Sequence, residues 1–291
     1  MKKLFIATAA VLASLASSAH AADLPSVKAA PEAPPPPPEW TGFYLGANAG
    51  YDWSITNTIQ QTYLETLPGG FATQAALGNI PGLQSVKTSE FIGGGQVGWN
   101  YQWGKHLLIG LEADIQGLAG GAGTVNLVTT NSATSFSKTQ GSLGTVRARI
   151  GYLVNPVFLV YGTGGFAYGQ GTLTANYYGI WPTTNPKQPI TLQLNDYQTQ
   201  TLTGFSVGGG AEWQFLPRWS VKAEYLYYNL GSIQTSGVQL NYKWAGVAGL
   251  TTAHSNARFD GSVVRIGVNY HIKWGGAPKV FNLEKIDQFI D

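Results

Sequence analysis

The stretch Arg218–Gly231, RWSVKAEYLYYNLG, holds the question on which the fold turns. Side chains two apart on a strand share a face, and aromatic residues favour the pleat. Trp219, Val221, Ala223, Tyr225 and Tyr227 therefore fall on one side, and Ser220, Lys222, Glu224, Leu226 and Tyr228 on the other. Alternation alone does not separate a soluble barrel from a membrane barrel, whose wet and dry faces are exchanged. The charges separate them. Lys222 turned outward at mid-membrane costs about 2–4 kcal/mol, with a smaller penalty for Glu224, whereas inward both find partners.

Seven further segments alternate in the same way. Outward-type residues are Phe43 to Trp53 in GFYLGANAGYDW, Phe91 to Trp103 in EFIGGGQVGWNYQW and Leu107 to Ile115 in HLLIGLEADIQ. The others are TVRARIGYLV, VFLVYGTGGFAYG (apolar on both faces, so its register is open), FSVGGGAEWQF and SVVRIGVNYHI. Gly104-Lys105, Asn155-Pro156 and Leu216-Pro217 are connections of hairpin length. The alternate connections, about residues 54–88, 117–143, 170–202 and 231–260, read as long loops. Short turns at one end and long loops at the other is the plan of a transmembrane β-barrel. The mixed face agrees, being rich in Gly, Gln, Asn and Ser, because glycine relieves crowding inside a narrow barrel and gains nothing on a wet surface. The expected fold is all-β, an eight-stranded antiparallel transmembrane β-barrel. Ser236–Gly246 and Leu173–Trp181 leave a ten-stranded alternative, since they either extend strands beyond the membrane or add a hairpin.

The termini and composition fit export. Lys2 and Lys3, the apolar run Leu4–Leu15 and Ala19-His20-Ala21 make a secretory signal peptide over 1–21. Its removal takes two of the 17 basic residues and leaves 15 against 15 acidic ones, so nucleic acid is not an expected partner. Residues 22–39 form a proline-rich linker in which Pro34–Pro38 hold an extended polyproline segment. The barrel is placed at 40–272 and a C-terminal tail at 273–291. With no cysteine there is no disulfide scaffold. Charged residues make up 11% of the chain, half of what soluble domains carry (~25%), yet 44% is hydrophobic, which excludes disorder.

Two constellations follow from the register. Glu112, Asp114, Arg147, Arg149, Glu212, Lys222, Glu224 and Arg265 all face the lumen, four acids and four bases in an interior that eight strands leave just wide enough for side chains. They are expected to form a salt-bridge network that plugs the barrel. Trp99, Tyr101, Trp103, Tyr152, Trp213, Phe215, Trp219 and Tyr270 lie near the short-turn end of the apolar face and suit an interfacial aromatic girdle.

The segments WTGFYLGANAGY, GGGQVGWNYQW, GLEADIQG, RARIGY, YGTGGFAYG, FSVGGGAEWQF, WSVKAEYLYYNLG and VVRIGVNY together resemble the alphaproteobacterial outer-membrane β-barrel family, often labelled outer-membrane immunogenic or porin-family proteins. The resemblance implies an eight-stranded surface barrel with roles in envelope integrity and in contact with host or environment. Implied partners are outer-membrane lipid and lipopolysaccharide and the outer-membrane assembly machinery; the linker and tail themselves suggest a cell-wall or periplasmic partner, since extended proline segments are also recognition surfaces. Some relatives bind haem-like ligands, but no loop motif here anchors one, and no cofactor is expected. Termini are expected in the periplasm and long loops outside the cell. Arg265, Gly267, Tyr270 and Ile272 match the terminal assembly signal of such barrels, although the chain runs on through KWGGAPKVFNLEKIDQFID.

Other motifs fail on context. Gly93–Gly98 satisfies G-x-G-x-x-G but sits inside a strand with no helix after it. His106, His254 and His271 lack metal-ligand spacing, and His106 and His271 read as inward residues at the short-turn rim. His254, Ser255 and Asp260 are near in sequence, but a triad is a matter of geometry, and no catalysis is expected. In the loops, Tyr177, Tyr178 and Trp181 are the candidate cluster for weak adhesive or carbohydrate contacts through aromatic stacking. The rival readings are a narrow pore for small solutes and a soluble periplasmic ligand-binding barrel.

Overall fold

Each alternating segment forms a strand. In chain order the computed structural model contains β1 (Gly42–Ser54), β2 (Thr58–Glu65), a short helix α1 (Phe71–Ala76), β3 (Leu83–Ser85), β4 (Ser89–Trp103), β5 (Leu107–Ala119) and β6 (Gly123–Val128). Then come β7 (Ser132–Asn155), β8 (Phe158–Trp181), β9 (Ile190–Leu216), β10 (Trp219–Gln234), β11 (Val238–Trp244) and β12 (Val247–Ile272). The structure describes residues 40–120, 122–181, 190–235, 237–244 and 247–272. The signal-peptide, linker and tail assignments lie outside them.

Around the ring the order is β1-β4-β5-β7-β8-β9-β10-β12, and β12 pairs back onto β1 from Phe43↔Ile272 to Ser54↔Gly261. The eight-stranded barrel is closed and antiparallel throughout. The ten-strand alternative falls, because β11 is not a ring member. It runs beside β12 from Val238↔Ala253 to Trp244↔Val247, beyond Gln234↔Asn256 where β10 leaves off. Leu173–Trp181 simply lengthens β8.

The long connections differ from expectation. Much of what reads as loop is strand, with β7 and β8 at 24 residues, β9 at 27 and β12 at 26, more than twice the ~9–11 that cross a bilayer. The physical reason is an inversion of pattern within one strand. Along β9, Phe205, Val207 and Trp213 point out while Ser206, Glu212 and Gln214 are buried. Earlier in that strand the sense is exchanged: Gln193 and Asn195 point out, and Leu192, Leu194 and Leu202 are buried. Strand β8 inverts likewise, from outward Val160 and Phe166 to inward Leu173 and Tyr177. The outer medium changes from lipid to water where the pattern flips, and the period of two carries on unbroken.

The barrel interior is therefore stratified. At the long-loop end, Phe136, Leu173, Leu192, Leu194, Ile233 and Phe259 form an apolar core. Residues 66–88 fold into that end, and α1 delivers Phe71, fully buried 5.4 Å from the ring of Tyr177 and 6.0 Å from that of Tyr63. At the membrane level the interior is polar. At the short-turn end Trp40, Leu108, Leu153, Leu159 and Tyr161 make a second apolar layer.

Glycine makes the polar layer fit. Gly46 faces Asn269, Gly50 faces Arg265, and Gly165 faces Arg147 across the ladder. A Cβ at Gly165 would stand 2.2 Å from the Val146 carbonyl oxygen, and at Gly98 2.2 Å from the Tyr44 ring. A large inward side chain thus takes the space that its cross-strand glycine vacates. That accounts for many of the glycines along the barrel strands.

Candidate functional site

The lumen charges meet as a single cluster drawn from β5, β7, β9, β10 and β12. The ladder sets Glu112 directly opposite Arg147, while Asp114 faces Thr145 and Arg149 faces Gly110. Arg147 reaches Glu112 at 2.7 Å, Asp114 at 2.9 Å and Glu224 at 3.1 Å. Arg265 holds Asp114 at 3.0 Å and, through Nε, Glu224 at 2.7 Å. Lys222 donates to both oxygens of Glu112 at 2.7 Å. Arg149 reaches past β8 to Glu212 at 2.7 Å, its guanidinium 4.1 Å above the ring of Tyr161 on that strand. None of these side chains is more than 3% exposed. Four positive and four negative groups neutralise one another.

Neutral side chains complete the set. Tyr44 donates to Glu112 at 2.7 Å, Thr145 to Asp114 at 2.7 Å, and Ser220 and Asn269 to Glu212 at 2.5 and 2.8 Å. Such charge-assisted bonds are short and strong. Taking ions out of water is costly enough that a buried pair often gains little over an apolar core, whereas stripping one partner costs about 3–5 kcal/mol. What the cluster does physically is fill the lumen and lock the relative register of five strands. Below it Trp40 is buried, its indole N–H on the Pro156 carbonyl at 2.9 Å and its ring 5.6 Å from His271. Above it Tyr228 donates to Asp52 and Gln140, both at 3.1 Å.

Strand register accounts for Glu112 against Arg147, but Lys222–Glu112, Arg147–Glu224 and Arg265–Asp114 join strands that are not neighbours, and Arg149, expected beside Glu112 and Asp114, makes its close bond to Glu212 instead. Tyr161 belongs to the strand whose faces the sequence leaves open, so its place beside Arg149 is not legible there. Trp40 escapes because it precedes the first alternating segment. Tyr44, Ser220 and Asn269 sit on the polar face in the sequence and differ from their neighbours by no local signal.

The eight girdle residues line the outer surface near the short turns. Trp99 stacks on Tyr101 at 6.2 Å, Trp213 lies 6.1 Å from Phe215, and Trp219 meets Tyr270 edge-on at 5.0 Å. Trp103 and Tyr152 are outward too, 67% and 56% exposed. A second aromatic belt stands at the other edge of the apolar band, with Tyr51 against Phe91 at 5.4 Å and Phe205 against Tyr227 at 6.0 Å.

The tyrosine cluster and one of the rim histidines do not lie as the sequence suggests. Tyr177 is 3% exposed and points into the apolar core, where its hydroxyl donates to Gln61 and burial pushes its phenol up to about 12. Tyr178 faces outward, and the side chain of Trp181 lies outside the described part. The alternation of β8 forces this, since neighbours in sequence take opposite faces. His254 and Ser255 are parted by the same rule: Ser255 is buried and donates to Gln61 at 2.6 Å, while Asp260 is engaged by Thr56 at 2.8 Å. His271 is inward as expected, but His106 is exposed on the turn, stacked on Tyr152 at 5.3 Å. No set of three or more His, Cys, Asp or Glu is arranged to hold a metal ion among the described residues.

Residues 7–271 match the family described as the outer membrane protein beta-barrel domain. The 31 kDa outer-membrane immunogenic protein of Brucella melitensis is 29% identical over 238 residues, covering 79% of this chain and 83% of that protein. The 25 kDa outer-membrane immunogenic protein of Brucella abortus is 26% identical over 234 residues, covering 79% and 78%. Among solved structures, the outer membrane protein OprG of Pseudomonas aeruginosa aligns over 81% of this chain and 99% of its own, at 9% identity and a TM-score of 0.36.

Proposed function

Because this chain belongs to the outer membrane protein beta-barrel family, we propose that it serves as a sealed structural barrel of the outer membrane whose long-loop end makes contacts outside the cell. In this reading the short turns and both termini are periplasmic, and the wall built by β7, β8 and β9 rises from the outer leaflet. Cell wall or periplasmic proteins are then the partners proposed for the proline-rich linker and the tail.

The supporting observation is the neutral cluster of eight ionised side chains packed across the lumen, with Glu112 held by both Arg147 and Lys222 at 2.7 Å. Apolar layers lie on either side of it, around Phe71 and around Trp40. A solute crossing the barrel would have to displace all three layers. Catalysis has no part in this reading. Its supporting geometry is that His254 and Ser255 take opposite faces of β12 and do not meet.

Planar-bilayer recording on the purified protein tests it. A sealed barrel gives a flat baseline at applied voltages where open pores step. Regular, uniform openings in the unmodified protein would replace this reading with that of a narrow diffusion pore.

A further inference from the structure

Above the apolar band, the outer wall of β6, β7, β8 and β9 carries a face with no role in the barrel's closure. Register places Asn126, Ser135, Asn176 and Asn195 side by side, one from each strand. The row nearer the rim adds Tyr178 and Gln193, and the row nearer the membrane adds Thr174 and Tyr197; none of the three rows holds a charged residue. A groove of about 300 Å³ runs between Asn126, Asn176, Tyr178, Gln193 and Asn195. Tyr178 and Tyr197 are 46% and 67% exposed. The side-chain amides of Asn126, Asn176, Gln193 and Asn195 form no hydrogen bond among the described residues. Behind this face stand Phe136, Leu173, Tyr177 and Leu194, all buried, so the rows are backed by packed core.

We propose that this face binds a neutral saccharide chain presented from outside the cell. An amide offers a donor and an acceptor in one plane, matching the paired hydroxyls of a sugar. A tyrosine offers an apolar ring face with a polar tip, matching a pyranose that is greasy on its C–H face and wet at its rim. Adjacent strands lie ~4.8 Å apart, so each row repeats its polar groups at close to the length of one sugar unit. A polyanion finds no positive charge here. A protein partner finds no buried apolar anchor around which interfaces are organised. Asn176 lies eight residues beyond the outward Tyr168 along β8, about 27 Å of strand, so the face stands clear of the apolar band.

The proposal rests on the reading of the long-loop end as extracellular, and the test separates the two. The full-length protein in detergent is titrated calorimetrically with maltohexaose, cellohexaose and mannohexaose, and with heparin as the anionic comparison. At least one neutral hexasaccharide is expected to bind. Asn176→Ala/Asn195→Ala and, separately, Tyr178→Ala are expected to weaken that binding by about tenfold or more, the factor that corresponds to ~1.4 kcal/mol. Their unfolding midpoints should stay at the wild-type value, since these side chains touch no core. Failure of every neutral hexasaccharide at millimolar concentration, binding by heparin alone, or unchanged binding in both variants overturns the saccharide assignment. Asn195→Cys is labelled in parallel with an impermeant maleimide on intact cells, the native chain having no cysteine. Labelling supports the outward orientation; its absence overturns that orientation and the proposal with it.

Discussion

Replacing Arg147 by Met probes the lumen cluster at its centre. The guanidinium is fully buried and bonded to Glu112, Asp114 and Glu224 at 2.7, 2.9 and 3.1 Å. Met fills similar space without charge, so the perturbation is electrostatic and leaves four buried acids against three bases. Arg265 still holds Asp114 at 3.0 Å, and Lys222 still holds Glu112 at 2.7 Å, which tempers the loss. Stripping one partner from a buried ion pair costs about 3–5 kcal/mol, and the lower part of that range applies here. The free energy of unfolding is read by urea titration of the protein folded into lipid vesicles. Glu224→Gln in the same chain restores neutrality, and Arg147→Met/Glu224→Gln should recover part of the loss, a coupling of ~0.5–3 kcal/mol. If Arg147→Met leaves the unfolding free energy within ~0.5 kcal/mol of wild type, or if the double variant is simply the sum of the singles, the cluster is not the linked unit described above.

Three further predictions rest on other layers. Trp40→Ala removes the indole bond to Pro156 and the contact with His271. It should cost about 3 kcal/mol or more, as loss of a buried Trp does, yet leave planar-bilayer traces flat because the charged layer remains. Gly98→Ala drives a Cβ to within 2.2 Å of the Tyr44 ring, and should cost about 1–3 kcal/mol by displacing the phenol from Glu112. Gly82→Ala, where nothing lies within 4 Å, should be near neutral in the same urea series. Lys138, above the membrane band, donates to the Thr56 carbonyl at 3.2 Å and to the Arg258 carbonyl at 2.5 Å. Burial pushes its pKa down to about 8, against the attraction of Asp260 and Asp52. The unfolded chain therefore holds more protons than the folded one between pH 8 and the ordinary lysine value. Wild-type stability should rise relative to Lys138→Met across that window, by up to ~1.4 kcal/mol per pH unit, and a flat difference would contradict it.

How much of this was readable without coordinates depended on whether one residue's face implied its neighbours' surroundings. It did in the membrane-level barrel. Once Lys222 is turned inward, the period of two fixes Glu224 beside it, and the ladder carries the assignment to Arg265 and to Glu112. It did not beyond the band, because a pattern sought with one sense appears to stop where the sense reverses. Leu192 and Leu194 read as loop residues when apolar side chains are expected to face lipid, although they alternate as strictly as Val207 and Trp213. Tyr177 and Tyr178 illustrate the same error from the other side, since adjacent aromatics look like one patch until the strand sends them to opposite faces. The apolar cap was out of reach for a different reason. Phe71 comes from a six-residue helix and meets Tyr177 from a distant strand, a contact of long sequence separation that no local periodicity encodes.

The central claim is that one side of the barrel strands touches lipid while the ionic side is sealed within. Single cysteines introduced as Val221→Cys and Ile266→Cys put it to the most direct test, because the native chain offers no competing thiol. A charged maleimide applied to intact outer membranes should leave both unmodified, while a lipid-soluble maleimide reacts at both. Rapid modification of either position by the charged reagent would mean that this side meets water, and the account would be wrong at its root.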